Sequence, residues 1–184
     1  MSDLFHEDVS FEFIRQVLTV IDDNPQHIFQ VLTKRPKRVL AFLNWYLHSI
    51  DADGYVFPAN MWMGVTVENT YQAHERVPLL IEMPVSLRFV SCEPLLEAVS
   101  LVHYRDHIDW LIVGGETGEQ ARAMDPEWVR LLRDTFFGKA FFFKQWGSWA
   151  PDEKGHMRFV GRKKIRELDS LIWDSFPQAV QRVA

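Results

Sequence analysis

Five short polar runs, each directly behind an apolar stretch, carry the residue types that could do chemistry. They are Thr33, Lys34 and Arg35; then Thr66, Glu68 and Asn69; then Ser91, Cys92 and Glu93; then Gly114, Gly115 and Glu116; and last Lys144, Gln145 and Trp146. Glu68, Glu93 and Glu116 suit three kinds of work. They can hold a divalent cation, divide acid and base roles if their surroundings separate their pKa values, or pair with Lys34 and Lys144. Residue type alone leaves all three open.

Lys34, Arg35, Lys37 and Arg38 crowd around Pro36 in "LTKRPKRVL". If a helix starts at Pro36, its unpaired N–H groups and dipole already favour an anion, and the cations would join them on a phosphate or carboxylate. The alternative is that the four point into solvent or pair with nearby acids. "VGGETGEQAR" is a glycine-rich turn that either brings backbone amides to such a group or only turns the chain. Its spacing is neither a dinucleotide fingerprint nor a P-loop.

Other residues read as structural. His103 and His107 lie four apart without a convincing helix, while His6 with Glu7 and His74 with Glu75 lack the second histidine of a zinc-protease helix. Cys92 has no evident histidine partner and reads as a buried, inert thiol. Phe141, Phe142, Phe143, Trp146 and Trp149 could stack a base, though core and rim packing accounts for most of them. "GRKKIR" reads as a solvated face, with nucleic-acid contact as its alternative.

These runs must be placed by elements. Ser10 caps a helix whose expected apolar face is Phe13, Val17, Leu18 and Ile21, with Pro25 beyond its end. "HIFQVLT" then reads as a strand and "PKRVLAFLNWYLHSI" as a helix with Pro36 first. "MWMGVTVEN", "SLRFVSCEP", "IDWLIVGGE" and "AFFFKQWG" read as further strands. Between them come a helix interrupted near Pro78 and a helix capped by Asp125, started at Pro126 and closed by Gly138, with Trp128, Val129, Leu131 and Leu132 as its apolar face. Strand ends recur about every 25 to 35 residues, the repeat of strand, crossover and parallel strand. Such apolar strands call for cover on both faces, in a barrel section or a doubly wound sheet. A full eight-stranded barrel needs about 250 residues, more than the 184 present.

Composition bounds the function. Net charge is -5, which gives no generic attraction to nucleic acid, and one cysteine excludes an intrachain disulfide or an all-cysteine metal site. The lone cysteine, the lack of a membrane-length apolar run and a start unlike a signal peptide point to the cytoplasm.

The motifs "SDLFHE", "FQVLTKRP", "WMGVTVEN", "RFVSCEPLL", "DWLIVGGETG" and "FFFKQWG" resemble an uncharacterised phage-encoded family related to radical SAM proteins. With "FVGRKK" and a late "FP", the resemblance covers most of the chain. It implies a partial (β/α) barrel, carried by phages and prophages, with no assigned activity. Family members carry upstream cysteines suited to a [4Fe-4S] cluster that binds S-adenosylmethionine. The resemblance places "MSDLFHE" at an internal strand end, so at least one strand is expected before Met1, and Ser2 and Asp3 would join the pocket rim. With one cysteine where such a cluster needs three, cluster chemistry is not expected of this chain alone. The resemblance also sets Gly114 to Glu116 on a later strand than the similar tripeptide that contacts the cofactor's amino group in radical SAM enzymes.

The expected fold is therefore α/β: a radical-SAM-like partial (β/α) barrel of about five parallel strands over residues 1–149, with a tail of residues 150–184 packed on it. Its expected function is to bind a small anionic ligand at the strand carboxyl ends, as the carboxyl-terminal barrel portion of a phage-type protein. Lys34 and Arg35 would hold the anion, with Thr66, Ser91, Gly114, Gly115 and Gln145 around it. Glu68, Glu93 and Glu116 would orient an amine or metal, and Lys144 would balance their charge. No catalytic residue or resident metal is assigned, and enzymatic activity is left open. A separate amino-terminal half is the expected protein partner, and no membrane is expected. The rival functions are a cluster-free binding module or remnant, and a carboxylate-metal-assisted hydrolase or lyase.

Overall fold

Local signals start and stop each helix. Ser10 Oγ accepts the N–H of Phe13 at 3.2 Å and opens α1, Phe11–Asp22. The computed structural model describes residues 3–50 and 57–178. In α1 the buried stripe is Ile14, Leu18 and Ile21, at i, i+4 and i+7. Phe13, expected on that face, lies one residue round the helix and is exposed, as is Val20.

Strand β1, Phe29–Thr33, leads into α2, Pro36–Ile50, with Pro36 at its first position. Strand β2, Met61–Thr66, leads into α3, Thr70–Glu82, whose cap Asn69 accepts the N–H of Gln72 at 3.0 Å. The expected break at Pro78 does not occur. The helix runs through it, and burial of Val77 and Leu80 on its inner face offsets the hydrogen bond that proline cannot make. Strand β3, Leu87–Cys92, is followed by a 3-10 turn, Val102–His107, in place of a full helix. Strand β4, Trp110–Gly114, α4, Pro126–Thr135, and β5, Ala140–Gln145, complete the pattern. Leu131 of α4 is exposed, and Val129 with Leu132 forms the buried face.

The five strands form one parallel sheet in chain order, β1-β2-β3-β4-β5. This order lacks the reversal that defines a doubly wound sheet. The period of two then separates the faces. On one face Met63, Val65, Val90, Val113 and Phe143 join the helices in the main core. On the other, Trp62, Leu87, Phe89 and Trp110 form a second cluster, with Ile112, Ala140 and Phe142 packed against it and, among the described residues, no helix contributing. The helical cover expected on both faces is thus present on one.

Part of the missing cover comes from the tail. Strands β6, Trp149–Pro151, and β7, Met157–Phe159, form one hairpin, and β8, Glu167–Leu168, and β9, Leu171–Ile172, form another. Leu168 is buried in the main core, and the Trp146 indole donates to the Glu167 carbonyl at 2.8 Å. The chain then runs beside β5, where Phe143 N–H donates to Trp173 O at 2.7 Å and Ser175 N–H to Phe141 O at 3.2 Å. Phe176 turns onto the inner face, its ring 5.0 Å from Trp110 and 5.4 Å from Phe142. Among the described residues no strand pairs with the outer edge of β1.

Candidate ligand-binding site

The strand register dictates what meets on the inner face. Leu32, Gly64, Phe89, Trp110 and Ala140 form one row, and Thr66, Ser91, Ile112 and Phe142 the next. One step further, alternation brings Glu68, Glu93 and Gly114 to the carboxyl-terminal rim; Lys34 stands there one residue beyond the Thr33–Val65 pair, and Lys144 comes in on β5 past a register shift that sets Gly114 opposite Gln145. There Lys34 donates to Glu68, and Lys144 donates to Glu93 Oε2 at 2.8 Å. A Cβ on Gly114 would lie 3.2 Å from Glu93 Cγ and Cδ, so the missing side chain lets Glu93 lean across β4 towards β5.

The three glutamates do not share a partner. Glu68 is held from α3 as well, by Arg76, whose Nη1 donates to it at 2.9 Å and to Thr66 O at 2.6 Å. Glu116 accepts from Arg122 at its backbone N, Nε and Nη2, between 2.8 and 2.9 Å. Those hydrogen bonds from Arg122 pull the Glu116 carboxyl down to about 2. Among the described residues no group of three His, Cys, Asp or Glu side chains is arranged to hold a metal ion.

The four cations around Pro36 also have internal partners. Lys34 is on Glu68, Arg35 on Asp3 at 3.3 Å and Lys37 on Glu75 at 3.2 Å; Arg38 donates to Val9 O at 2.6 Å and lies over the Phe11 ring. They border a groove of about 560 Å³ between α2 and α3, apart from Ser91, Glu93 and Lys144. Asp3, proposed for the rim, ties the chain start to β1. It accepts from Thr33 Oγ1 and from the N–H groups of Lys34 and Phe5. Burial pushes its pKa up, but these bonds and Arg35 outweigh burial and hold it below the usual carboxylate range. Ser2 lies outside the described residues.

The larger cavity, about 1250 Å³, opens on the inner face of the sheet. Ser91, Glu93, Lys144 and Gln145 line it, above a floor of Phe89, Trp110, Phe142 and Phe176. Of the expected ligand residues, the structure therefore brings these four together. Gly114 sits beneath Glu93, while Lys34, Arg35, Thr66, Glu68, Gly115 and Glu116 do not line the cavity. The eleven expected residues are thus divided, with Lys34 and Arg35 on the α2–α3 groove and Ser91, Glu93, Lys144 and Gln145 on the larger cavity. Gly115 joins two loops: its N–H donates to Gln145 O at 2.9 Å, and any Cβ would strike the Trp146 carbonyl. That amide is therefore already bonded within the fold.

Sequence reasoning missed the cavity's cationic flank. Arg162, Lys163, Lys164 and Arg166, taken above as a solvated face, line it. The Arg166 guanidinium lies 5.1 Å from the Phe142 ring centre, and its buried Nε and Nη2 have no hydrogen-bond partner among the described residues. The basic run itself was the only signal, since nothing local shows that the tail folds back over the sheet. Of the aromatics considered for stacking, Phe141, Phe143 and Trp146 are core residues, and Phe142 alone lines the cavity. Cys92 is buried on the helix side, where burial and then the charge of Glu68 push its thiol pKa far up.

A family described as Protein of unknown function (DUF5131) matches residues 1–177. No curated protein and no solved structure matches the chain.

Proposed function

The chain belongs to DUF5131, a family of unknown function, and we propose that it binds a small anionic ligand in the inner-face cavity at the carboxyl ends of its parallel strands. The carrying observation is charge. Among the described residues, Lys144, Arg162, Lys163, Lys164 and Arg166 line a cavity with two carboxylates, Glu93 and Glu119, and Glu93 is already paired with Lys144. In a protein of net charge -5, that local excess in a walled concavity concentrates anions. The location is the edge where ligands bind in parallel α/β sheets.

Thermal unfolding in rising inorganic phosphate, at constant ionic strength, tests the reading. The midpoint of the wild type should rise, and the Lys163→Glu/Lys164→Glu variant, altered at two exposed positions, should lose that rise. A wild-type midpoint unmoved by phosphate and by short dicarboxylates rejects it.

The same proposal treats the chain as one portion of a (β/α) barrel related to radical SAM proteins, encoded by a phage or prophage and working in the bacterial cytoplasm. Its support is the chain-order parallel pairing, helices on one sheet face, and the outer edge of β1, beside which Asp3 is anchored. A [4Fe-4S] cluster does not fit these residues. The single cysteine is buried on the far face with its thiol held protonated, so this chain offers no set of thiolates for a cluster to bind. A separate amino-terminal half would have to bring the thiolates, and iron analysis of the two co-expressed halves tests that. Alone, these residues favour a cluster-free binding module, because the glutamates that a metal-assisted hydrolase would share are each committed to a different cation.

A further inference from the structure

Resting on the anion-binding reading, we propose that the cavity takes a nucleoside phosphate, with its flat base stacked on Phe176 and its phosphate held by Arg166 and the Lys163–Lys164 flank. Two features go beyond positive charge. The first is the stacking platform. Phe176 is 57% exposed and lines the cavity, yet its ring is backed by Trp110 and Phe142. Trp110 is fixed in turn by its indole bond to Ser175 O at 3.0 Å and by Phe89, 5.7 Å away. A ring supported from behind loses little freedom when a second ring covers it, and every base has a face to offer.

The second feature is Arg166. Its guanidinium is stacked on Phe142, while its buried Nε and Nη2 lack acceptors among the described residues. Unmade hydrogen bonds at a buried cation are costly, and phosphate oxygens match the guanidinium fork in both geometry and charge. Phe142 joins the features, since Arg166 and Phe176 are neighbours of the same ring. A bare phosphate would leave the platform unused, and a neutral aromatic compound would leave the fork unpaired. One molecule carrying both groups satisfies both. Ser91 and Gln145, which line the cavity, supply hydrogen-bonding groups for sugar hydroxyls or base edges. At about 1250 Å³ the cavity exceeds the roughly 300–1,000 Å³ of most small-molecule sites, so a mononucleotide enters with water to spare.

Titration calorimetry on the full chain tests this with inorganic phosphate, adenosine, the four nucleoside 5′-monophosphates and a short single-stranded oligonucleotide. At least one monophosphate is expected to bind about tenfold or more tighter than both phosphate and adenosine. Phe176→Leu, which keeps apolar packing but loses the aromatic face, should cut that monophosphate to the level of phosphate and leave phosphate itself unchanged. Arg166→Gln should weaken phosphate and monophosphate alike. Phosphate binding with no gain from a base overturns the proposal while the anion-binding reading stands; no binding of any anion overturns both. Adenosine binding as tightly as its monophosphate overturns the phosphate contact. An oligonucleotide at least tenfold tighter than every monophosphate reassigns the site to nucleic acid and overturns the mononucleotide.

Discussion

Replacing Arg76 by alanine should cost far more stability than replacing Lys34, although both cations hold the carboxylate of Glu68. The difference is burial. The side chain of Glu68 is 9% exposed, Arg76 15% and Lys34 52%. Breaking a buried pair leaves an uncompensated charge and costs about 3–5 kcal/mol, whereas exposed pairs contribute about 0–1 kcal/mol. Lys34 stays on Glu68 in the Arg76→Ala variant, which places that loss near the lower bound, about 3 kcal/mol. Lys34→Ala leaves Arg76 in place and should cost under about 1 kcal/mol. At about 2–4 °C per kcal/mol for a chain of this size, the melting midpoint should fall by roughly 6–12 °C for Arg76→Ala and less than about 4 °C for Lys34→Ala. Urea unfolding followed by tryptophan fluorescence reads both losses, and a Glu68→Ala, Arg76→Ala cycle isolates the pair. Equal losses, or a larger loss for Lys34→Ala, would refute the assignment of Arg76 as the principal holder of Glu68.

Gly115→Ala should prevent folding or cost several times more than Gly114→Ala, because its Cβ meets the Trp146 backbone whereas that of Gly114 meets the Glu93 side chain, which can shift; comparing urea midpoints checks this, and equal midpoints would contradict it. Glu116 should titrate near 2 in the folded protein. Its pKa is depressed, so its stabilising contribution is present above the ordinary 4.5 and is lost as pH falls through about 2. Carboxyl NMR should find that midpoint, returning towards the ordinary value in Arg122→Ala; an ordinary value in the wild type would be the wrong result. Cys92 should resist thiol reagents in the native state and react fully in urea, since the thiol is buried and held protonated; rapid native labelling would contradict its placement.

The strands were legible because their apolar runs are short, bounded by helix caps and repeated at one spacing. The Glu93–Lys144 pair was only one of the roles the sequence left open: each lies two beyond an inner-face residue, Ser91 or Phe142, but the register shift between Val113 and Gly114 that sets their strands has no local signal. What failed depended on tertiary packing. Phe13 matched a helical period as well as Ile14 did, and only the position of the sheet chose between them. Pro78 looked like a stop, but burial on either side of it carried the helix through. Arg35 and Lys37 faced acids contributed by distant segments, Asp3 and Glu75, which no local pattern announces. Arg166 was hidden for the opposite reason. A basic run in a polar tail looks solvated until the tail crosses back over Phe142.

The chain-order pairing of the sheet bears on how the protein is made. Among the described residues each strand of the five-stranded sheet pairs with no strand but its neighbours in chain order, so a chain emerging from a ribosome can lay down one βα unit after another without waiting for a distant strand. The last segment breaks that rule, since the Trp110 indole must find Ser175, 65 positions away. Until then one sheet border and the Trp110 cluster stand uncovered, a template for unwanted association. Synthesis of the stretch through Phe176 therefore sets how long the nascent molecule is vulnerable.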